Sequence, residues 1–227
     1  MSMKSKIFAA AATLTLAGGI GAAGTLTANA ATPSCGHSCI DIFSREFGTH
    51  HSPNFVFDVS QQKARAGQPI ILYRTSNYDP AEDFTVSAQG TVADFYAAGL
   101  VTASLNLHYS HFEAYEFEYA PNGAESGYCV GVGSTAVDGT PVALEPCGAS
   151  SKTLWVVDSY DTLPGFYVPL INGSDTNFSN PYVLTYPGNG YPTDIPRPQL
   201  ITWTLSKYST GAVFDNQLWS ADFGVLK

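Results

Sequence analysis

The sequence predicts an all-β fold built from three copies of one strand-rich unit. Short apolar runs rich in Val, Ile, Tyr and Phe recur between Gly, Pro, Asn and Asp, which is the pattern of strands joined by tight turns. Few windows show apolar residues at helical spacing, and no repeated βα unit is present; residues 92–98 are long enough for one helical turn. An internal threefold repeat extends from Asn54 to the C-terminal region.

The first thirty residues are predicted to form a cleavable signal peptide. Lys4 and Lys6 precede an uncharged apolar run over residues 7–23, and a small-x-small cleavage site ends at Ala30. Glycines interrupt the apolar run, which disfavours a membrane-spanning helix. Cleavage removes both lysines, so the net charge goes from −9 to −11. We therefore expect a secreted, extracellular protein.

The acidic charge restricts the classes of partner. Binding to nucleic acid or to an anionic membrane needs clusters of Lys and Arg, which this chain lacks. No other segment reaches the length of a membrane span, so we expect no membrane insertion. A content of 44% hydrophobic and 13% aromatic residues is enough for one sizeable core without a metal, and no cofactor is expected.

Residues 31–53 precede the first repeat and are predicted to be an N-terminal arm with a small disulfide loop. The four cysteines all lie in the exported part, where the environment is oxidising and pairing is expected. Three pairings are open, and proximity along the chain favours Cys35 with Cys39 and Cys129 with Cys147. A zinc site is disfavoured because the spacing matches no known zinc motif.

Each repeat is predicted to contribute two apolar strands, a turn and a large aromatic residue. Repeat one reads NFVFDV, AGQPIILY and PAEDFTV from Asn54; repeat two reads GYCVGV, DGTPVALEPC and KTLWVV from Gly127. The weaker third repeat reads NPYVLTY, RPQLITW and NQLWSADF from Asn180. One unit cannot bury its apolar face alone, whereas three around an axis can. The predicted core contains Phe57, Val59, Ile70, Leu72, Phe84, Val130, Val142, Leu144, Trp155, Leu184, Leu200 and Trp219.

Two stretches are longer than the repeat requires. Between Ser87 and Ser126 the alternating runs 101–108 and 114–120 are predicted to form an extra β-hairpin between repeats one and two. Residues 186–198 are rich in Tyr, Pro, Gly and Asn and form the second such stretch. Each could be a functional loop on a rigid scaffold, or a surface connection without a partner.

The order of these motifs resembles the ricin B-type β-trefoil. Repeats of that family carry a Cys/Leu-x-Asp-Val strand, a Gly-x-Pro-Val-x-Leu-Trp strand and a Gln-x-Trp motif. The segments 129–132 and 139–147 resemble it most, and Cys129 and Cys147 occupy the positions of the family's disulfide within a repeat. The resemblance covers residues 54–227 and implies a divergent lectin-like trefoil domain there, in a secreted protein of the actinobacterial type.

The resemblance also implies sugar-binding positions. In sugar-binding members, an Asp on the first strand accepts hydrogen bonds from sugar hydroxyls, an aromatic residue stacks on the sugar, and an Asn or Gln completes the site. The matching residues are Asp58 and Tyr73 in repeat one, with Asn216 and Gln217 in repeat three.

All three repeats depart from the complete pattern. Repeat one has Ile71 and Ala81 where the family often has Gln and Asn. Repeat two has Gly131 and Glu145 at the Asp and aromatic positions, so we expect no sugar binding there. Repeat three has Thr185 in place of the Asp, and Trp203 aligns only loosely with the aromatic position.

The sequence thus predicts a secreted, non-catalytic carbohydrate-binding lectin, with a glycan or a secreted or cell-surface protein as its partner. One alternative is a protein-binding adaptor subunit of a secreted, toxin-like assembly. The incomplete sugar sites, the acidic insertion and the apolar arm favour this adaptor. For the arm itself, however, we prefer the interpretation that it is a strand that closes the barrel.

A second alternative is a secreted hydrolase acting on glycans, since the chain has many carboxylates. Neither His108 and His111 nor His50 and His51 match a catalytic motif, and we expect surface histidines.

Overall fold

The computed structural model describes residues 39–49, 52–53, 55–76, 79–148, 150–159, 167–188 and 197–223. No helix within these ranges is long and apolar enough to cross a membrane. The strands are β1 Ile40–Ser44, β2 Gly48–Thr49, β3 Ser52–Pro53, β4 Phe55–Val59, β5 Ile70–Arg74, β6 Phe84–Thr91, β7 Glu113–Tyr119, β8 Tyr128–Val132, β9 Val142–Pro146, β10 Leu154–Val157, β11 Leu170–Asn172, β12 Tyr182–Thr185, β13 Ile201–Thr204 and β14 Trp219–Phe223. The helices are α1 Val92–Ala97 and α2 Ala103–Tyr109.

Six antiparallel strands, two from each repeat, form a closed barrel. The strands β1, β6, β7, β10 and β11 pair in that order, and β14 pairs with β1. The ring closes through a bridge between Val168, just before β11, and Trp219 of β14. Closure leaves none of these strands as an open sheet edge.

The other six principal strands form three hairpins, β4–β5, β8–β9 and β12–β13. Each hairpin contacts the other two through isolated bridges, Pro69 with Ala143, Pro141 with Ile201, and Ile71 with Gln199. Four strands per repeat, with barrel and hairpin strands alternating around one axis, make the architecture a β-trefoil. The predicted all-β fold with three pseudo-repeats is confirmed.

The main core contains all twelve residues that the repeat pattern predicts. The two tryptophans that close repeats two and three make the same hydrogen bond. Trp155 Nε1 donates to the Val130 carbonyl and Trp219 Nε1 to the Leu184 carbonyl, both at 2.9 Å. These bonds satisfy the indole N–H groups inside an apolar core, where an unpaired donor is costly.

The predicted N-terminal arm over residues 31–53 includes a strand of the trefoil. Ile40 and Ile42 of β1 are buried in the core, and β1 pairs along its length with β14. The trefoil therefore begins before residue 54, because repeat one, like the others, needs a barrel strand ahead of its hairpin. Residues 31–38 and the predicted signal peptide, 1–30, lie outside the described residues.

The insertion forms a hairpin with different strands from those predicted. The strands of this hairpin are β6 and β7, which pair over almost their full length. Run 101–108 lies in the connection between these two strands. Run 114–120 is the strand β7, whereas most of run 101–108 is the helix α2. Val101, Leu105 and Tyr109 are buried at a spacing of four residues, and Thr102 Oγ1 accepts the N–H of Leu105 as an N-cap.

The helical turn predicted over residues 92–98 is the helix α1. Thr91 and Asp94 form a capping box at its start. Both helices pack on a second apolar cluster with the outward-facing Leu154, Val156 and Ile171 of the barrel. The insertion therefore covers the outside of repeats two and three.

A disulfide joins Cys129 of β8 to Cys147, just after β9, with the Cα atoms 5.0 Å apart. This pairing was predicted and is confirmed. Cys39 is also disulfide-bonded, while Cys35 lies outside the described residues, so their pairing stays a prediction.

Candidate functional site

A pocket of about 380 Å³ opens beside the hairpin of repeat one. Asp58 of β4 and Tyr73 of β5, both predicted as ligand-binding residues, line it together. Gln62, Asp79 and Arg197 complete its polar lining. The structure thus brings the two predicted residues of repeat one into a single cavity.

Strand geometry places Asp58 and Tyr73 on the same side of the hairpin. Phe57 and Val59 belong to the main core, so Asp58 between them faces away from it. In the ladder of β4 and β5, Asp58 lies opposite Ile71 and Val56 lies opposite Tyr73. The two pairs are two residues apart, so their side chains are on the same face. Alternation along the two strands therefore directs both side chains to the pocket.

The loop after β5 adds two more carboxylates. Asp79 Oδ1 accepts hydrogen bonds from the Ala81 N–H at 3.0 Å and from Gln62 Nε2 at 2.8 Å. Glu82 is buried, and its two oxygens accept the N–H of Ser76 at 2.9 and 3.0 Å. Carboxylate oxygens of Asp58, Asp79 and Glu82 lie within 4.8 Å of one another.

Asp58 is 5% exposed, and its carboxylate makes no hydrogen bond in the part of the chain that the structure describes. Burial, together with the nearby Asp79 carboxylate, raises the pKa of this carboxyl to about 7, although Arg197 acts in the opposite direction. The guanidinium of Arg197 lies 4.0 Å from the centre of the Tyr73 ring. The pocket therefore presents a buried acceptor beside a cation that covers one face of the aromatic ring.

A separate pocket of about 260 Å³ lies in repeat three. Asn216 and Gln217, the other two predicted residues, line it with Thr185 and Trp203. The pair predicted in repeat three thus also meets in one cavity, distinct from that of repeat one.

The side-chain amides of Asn216 and Gln217 hold the protein's own backbone. Gln217 is buried; its Nε2 donates to Thr185 Oγ1 and to the Thr204 carbonyl at 3.0 Å, and its Oε1 accepts from the Ser206 N–H at 2.7 Å. Asn216 Nδ2 donates to the Tyr186 carbonyl at 2.9 Å. Both residues stabilise the walls of this pocket.

The register corrects the loose alignment of Trp203. Trp203 lies opposite Val183, as Tyr73 lies opposite Val56, and Thr185 lies opposite Ile201 as Asp58 does opposite Ile71. Trp203 is therefore the structural counterpart of Tyr73, and it is 43% exposed.

Repeat two has no room for a side chain at the position of Asp58. A Cβ atom on Gly131 would lie 2.9 Å from the Lys152 carbonyl oxygen and from Thr153 Cγ2. Glu145 takes the place of the aromatic residue, opposite Cys129. Repeat two therefore lacks both the carboxylate and the aromatic ring of the repeat-one pocket.

Three residues of the pocket, Asp79, Gln62 and Arg197, have no sequence signal that marks them as part of a site. Asp79 precedes Pro80 and caps a 3-10 turn, which is a local signal for a turn but not for a pocket. Arg197 lies near the end of the stretch 186–198, which the sequence marked as a candidate loop, and residues 189–196 of that stretch lie outside the described residues. Only the contact between repeats three and one brings Arg197 to the site.

The histidines of the insertion are held by local contacts. The His108 ring stacks on Phe178 with the centroids 4.3 Å apart, and its Nδ1 lies 2.9 Å from the Ser104 carbonyl oxygen. His111 Nδ1 lies 3.1 Å from Ser110 Oγ. Within the described ranges, the close groups of metal-ligating side chains contain carboxylates and disulfide-bonded cysteines, but neither histidine. His50 and His51 lie outside these ranges.

Known structures share this architecture at low sequence identity. No protein-family model and no curated protein matches the chain. The designed 3-fold symmetric protein ThreeFoil matches with a TM-score of 0.53 and 16% identity, over 81% of this chain and 97% of that one.

Two weaker likenesses are a Haemophilus ducreyi cytolethal distending toxin and a Polyporus squamosus lectin. The toxin has a TM-score of 0.49 and 10% identity, over 91% of this chain and 92% of its own. The lectin has a TM-score of 0.48 and 12% identity, over 82% of this chain and 49% of its own. The fold is therefore a β-trefoil, and the order of the repeat motifs resembles that of the ricin B type.

Proposed function

We propose that the protein binds glycans through the pocket of repeat one. The observation that carries the proposal is the carboxylate of Asp58, which is buried, lines an open pocket and accepts no hydrogen bond within the described ranges. Buried polar groups in proteins are nearly always hydrogen-bonded, so an unpaired acceptor at a pocket is a site for a ligand donor. Sugar hydroxyls are such donors.

The other residues of the pocket suit a neutral, hydroxyl-rich ligand. Arg197 supplies N–H donors and Asp79 supplies acceptors around the same cavity. Because the Arg197 guanidinium lies over Tyr73, we expect the sugar to contact Asp58 and Arg197 directly instead of lying flat on the Tyr73 ring. The volume of about 380 Å³ falls within the range of small-ligand sites.

A glycan array followed by calorimetric titration tests this proposal. Asp58→Asn keeps the size of the side chain but removes the charged acceptor, so affinity for the best glycan should fall at least about tenfold, in keeping with the strength of a charge-assisted hydrogen bond. The control is Glu125→Gln, which makes the same charge change at an exposed residue that does not line the pocket. An absence of binding to every glycan, or equal affinity in Asp58→Asn and the unaltered chain, would refute the proposal.

The two alternative functions gain no support from the geometry. Ile40–Ser44 pairs inside the barrel, so this part of the predicted arm is not free to add a strand to a partner protein. Glycosidase carboxylates lie about 5–5.5 Å apart in retaining enzymes and farther apart in inverting ones. One oxygen of Asp58 lies within 4.8 Å of one oxygen of Asp79, and this distance between two atoms does not identify a pair of carboxyl groups at either separation.

Secretion belongs to the same proposal. The disulfide between Cys129 and Cys147 supports an oxidising location. N-terminal sequencing of protein from the culture medium should find Ala31 as the first residue; an intact N-terminus in the cell fraction would contradict export.

A further inference from the structure

Three carboxylates of repeat one are arranged as ligands around one point. Their oxygens, one each from Asp58, Asp79 and Glu82, lie within 4.8 Å of one another. Ca²⁺ binds oxygen ligands at 2.3–2.6 Å, so two oxygens that share an ion are separated by about 5 Å at most. The observed spacing therefore satisfies the distance limit for a shared calcium ion.

Asp58 provides a separate indication that the cluster has a ligand. It is 95% buried, it lines the pocket, and its carboxylate is unpaired within the described ranges. Asp79 and Glu82 are oriented by N–H groups of their own loop, from Ala81 and Ser76. Asp79 Oδ1 also accepts a hydrogen bond from Gln62 Nε2, so both of its lone pairs are used and Asp79 would coordinate a metal through Oδ2.

The local charge matches a divalent cation. Asp58, Asp79 and Glu82 carry three negative charges when ionised, and Arg197 is the cation that lines the same pocket. The remaining charge of about −2 lies where burial has removed much of the hydration that would otherwise stabilise it. A bound divalent ion would neutralise this charge.

We propose that Asp58, Asp79 and Glu82 bind one Ca²⁺ ion beside the repeat-one pocket. Calcium is favoured over magnesium because two ligands come from a loop and one from a strand, and Ca²⁺ accepts irregular sets of six to eight oxygens whereas Mg²⁺ demands a near-ideal octahedron. Water, or the hydroxyls of a bound sugar, would complete the coordination. The ion site does not depend on the proposed glycan function, because the protein alone is the binding partner.

The other repeats lack this arrangement, so one ion per chain is expected. Gly131 and Thr185 replace Asp58 in repeats two and three. A second close group, Glu116 with Cys129 and Cys147, is not comparable, because its two sulfurs are joined in the disulfide.

Calorimetric titration with CaCl₂ tests the site on the purified full-length chain after treatment with a chelator. We expect a saturable site with one ion per chain and a rise in melting temperature on adding Ca²⁺. Asp79→Asn and Glu82→Gln should each weaken calcium binding at least about tenfold, because each removes one charged ligand while retaining an oxygen that accepts the loop N–H groups. Circular dichroism in chelator verifies that both variants are folded.

The control variant, Glu125→Gln, should bind calcium like the unaltered chain. The proposal is overturned if millimolar Ca²⁺ neither binds nor stabilises the chain, or if Asp79→Asn and Glu82→Gln retain full affinity. Glycan titration with and without chelator separates the two proposals: calcium binding without glycan binding refutes only the function above, and glycan binding in a chain that does not bind calcium refutes only the ion site.

Discussion

At the scale of single residues, Asp58 is placed where it favours ligand binding but lowers the stability of the fold. Its neighbours on β4, Phe57 and Val59, are part of the core, so its carboxylate is buried with them. That carboxylate has no hydrogen bond in the described part of the protein, and the nearby Arg197 partly offsets the cost of burying its charge. Residues of this kind are common at binding sites.

The raised pKa of Asp58 predicts that the free energy of unfolding depends on pH. In the folded chain it is about 7, above the ordinary 3.8, so the folded state holds this proton more tightly than the unfolded state does. The resulting stabilisation is present below about pH 4 and is lost as the pH rises through 7. Asp79, Glu82 and Arg197 are the other charged groups that face this carboxyl.

Asp58→Asn should therefore be more stable than the unaltered chain at pH 8 and nearly equal to it at pH 4. The difference between the two pKa values, about three pH units, sets an upper limit of about 4 kcal/mol on the gain in free energy of unfolding. Urea unfolding in chelator at both pH values measures it. A variant that gains no more stability at pH 8 than at pH 4 would contradict the assigned pKa.

At the scale of the elements, each repeat has one backbone N–H just after its hairpin that donates a hydrogen bond to a side chain. Glu82 accepts it from Ser76 in repeat one, and Gln217 accepts it from Ser206 in repeat three. Both acceptors lie two residues before the closing aromatic residue. At that position repeat two has Thr153, whose side chain is shorter.

Glu116 of the barrel strand β7 supplies the missing acceptor in repeat two. It is buried, and its Oε1 accepts hydrogen bonds from the Gly148 N–H at 3.1 Å and from Thr153 Oγ1 at 2.6 Å. Ser87 Oγ donates to its second oxygen at 2.9 Å. In repeat two, a carboxylate from the barrel strand β7 thus accepts the backbone N–H that Gln217 accepts within repeat three.

Glu116→Ala should destabilise the protein by about 2–4 kcal/mol, because it leaves buried donors unpaired. Glu116→Gln keeps one oxygen and should lose less. Combined with Thr153→Val, Glu116→Ala should show a loss smaller than the sum of the two single losses, since both remove the same hydrogen bond. Chemical unfolding of the four chains measures the coupling, and strict additivity would show that the two side chains act separately.

At the scale of the whole molecule, the disulfide strengthens a hairpin that is already paired. Cys129 lies opposite Glu145 in the ladder of β8 and β9, so the native hairpin has its register without the bond. The bond closes a loop with a sequence separation of 18 residues. Its main effect is expected on the unfolded chain, whose entropy it reduces.

Replacing Cys129 and Cys147 together by serine should lower the free energy of unfolding by roughly 3 kcal/mol, the chain-entropy value for a loop of this size. The fold should persist, because the three hairpins still contact one another. Denaturant unfolding gives the loss, and circular dichroism gives the fold. An unfolded double variant at room temperature would mean that the bond is needed to form the hairpin.

Local pattern alone predicted most of the trefoil. The hairpin strands, the core residues and the helix α1 depend on alternation, turn residues and caps, which act between near neighbours in the chain. The resemblance to the ricin B type indicated Asp58 and Tyr73 as a pair. Proximity along the chain and the same resemblance predicted the disulfide between Cys129 and Cys147, which lies at the hairpin β8–β9.

Tertiary contacts decided the rest. Run 101–108 alternates like a strand and also repeats like a helix, and burial of Leu105 against the barrel residues Leu154 and Ile171 selects the helix. β1 is a strand because β14, at the other end of the chain, pairs with it. Arg197 reaches Tyr73 because repeats three and one meet around the axis. Such partners are far apart in sequence, and only the packed fold determines which of them meet, because burial and hydrogen bonding act through space.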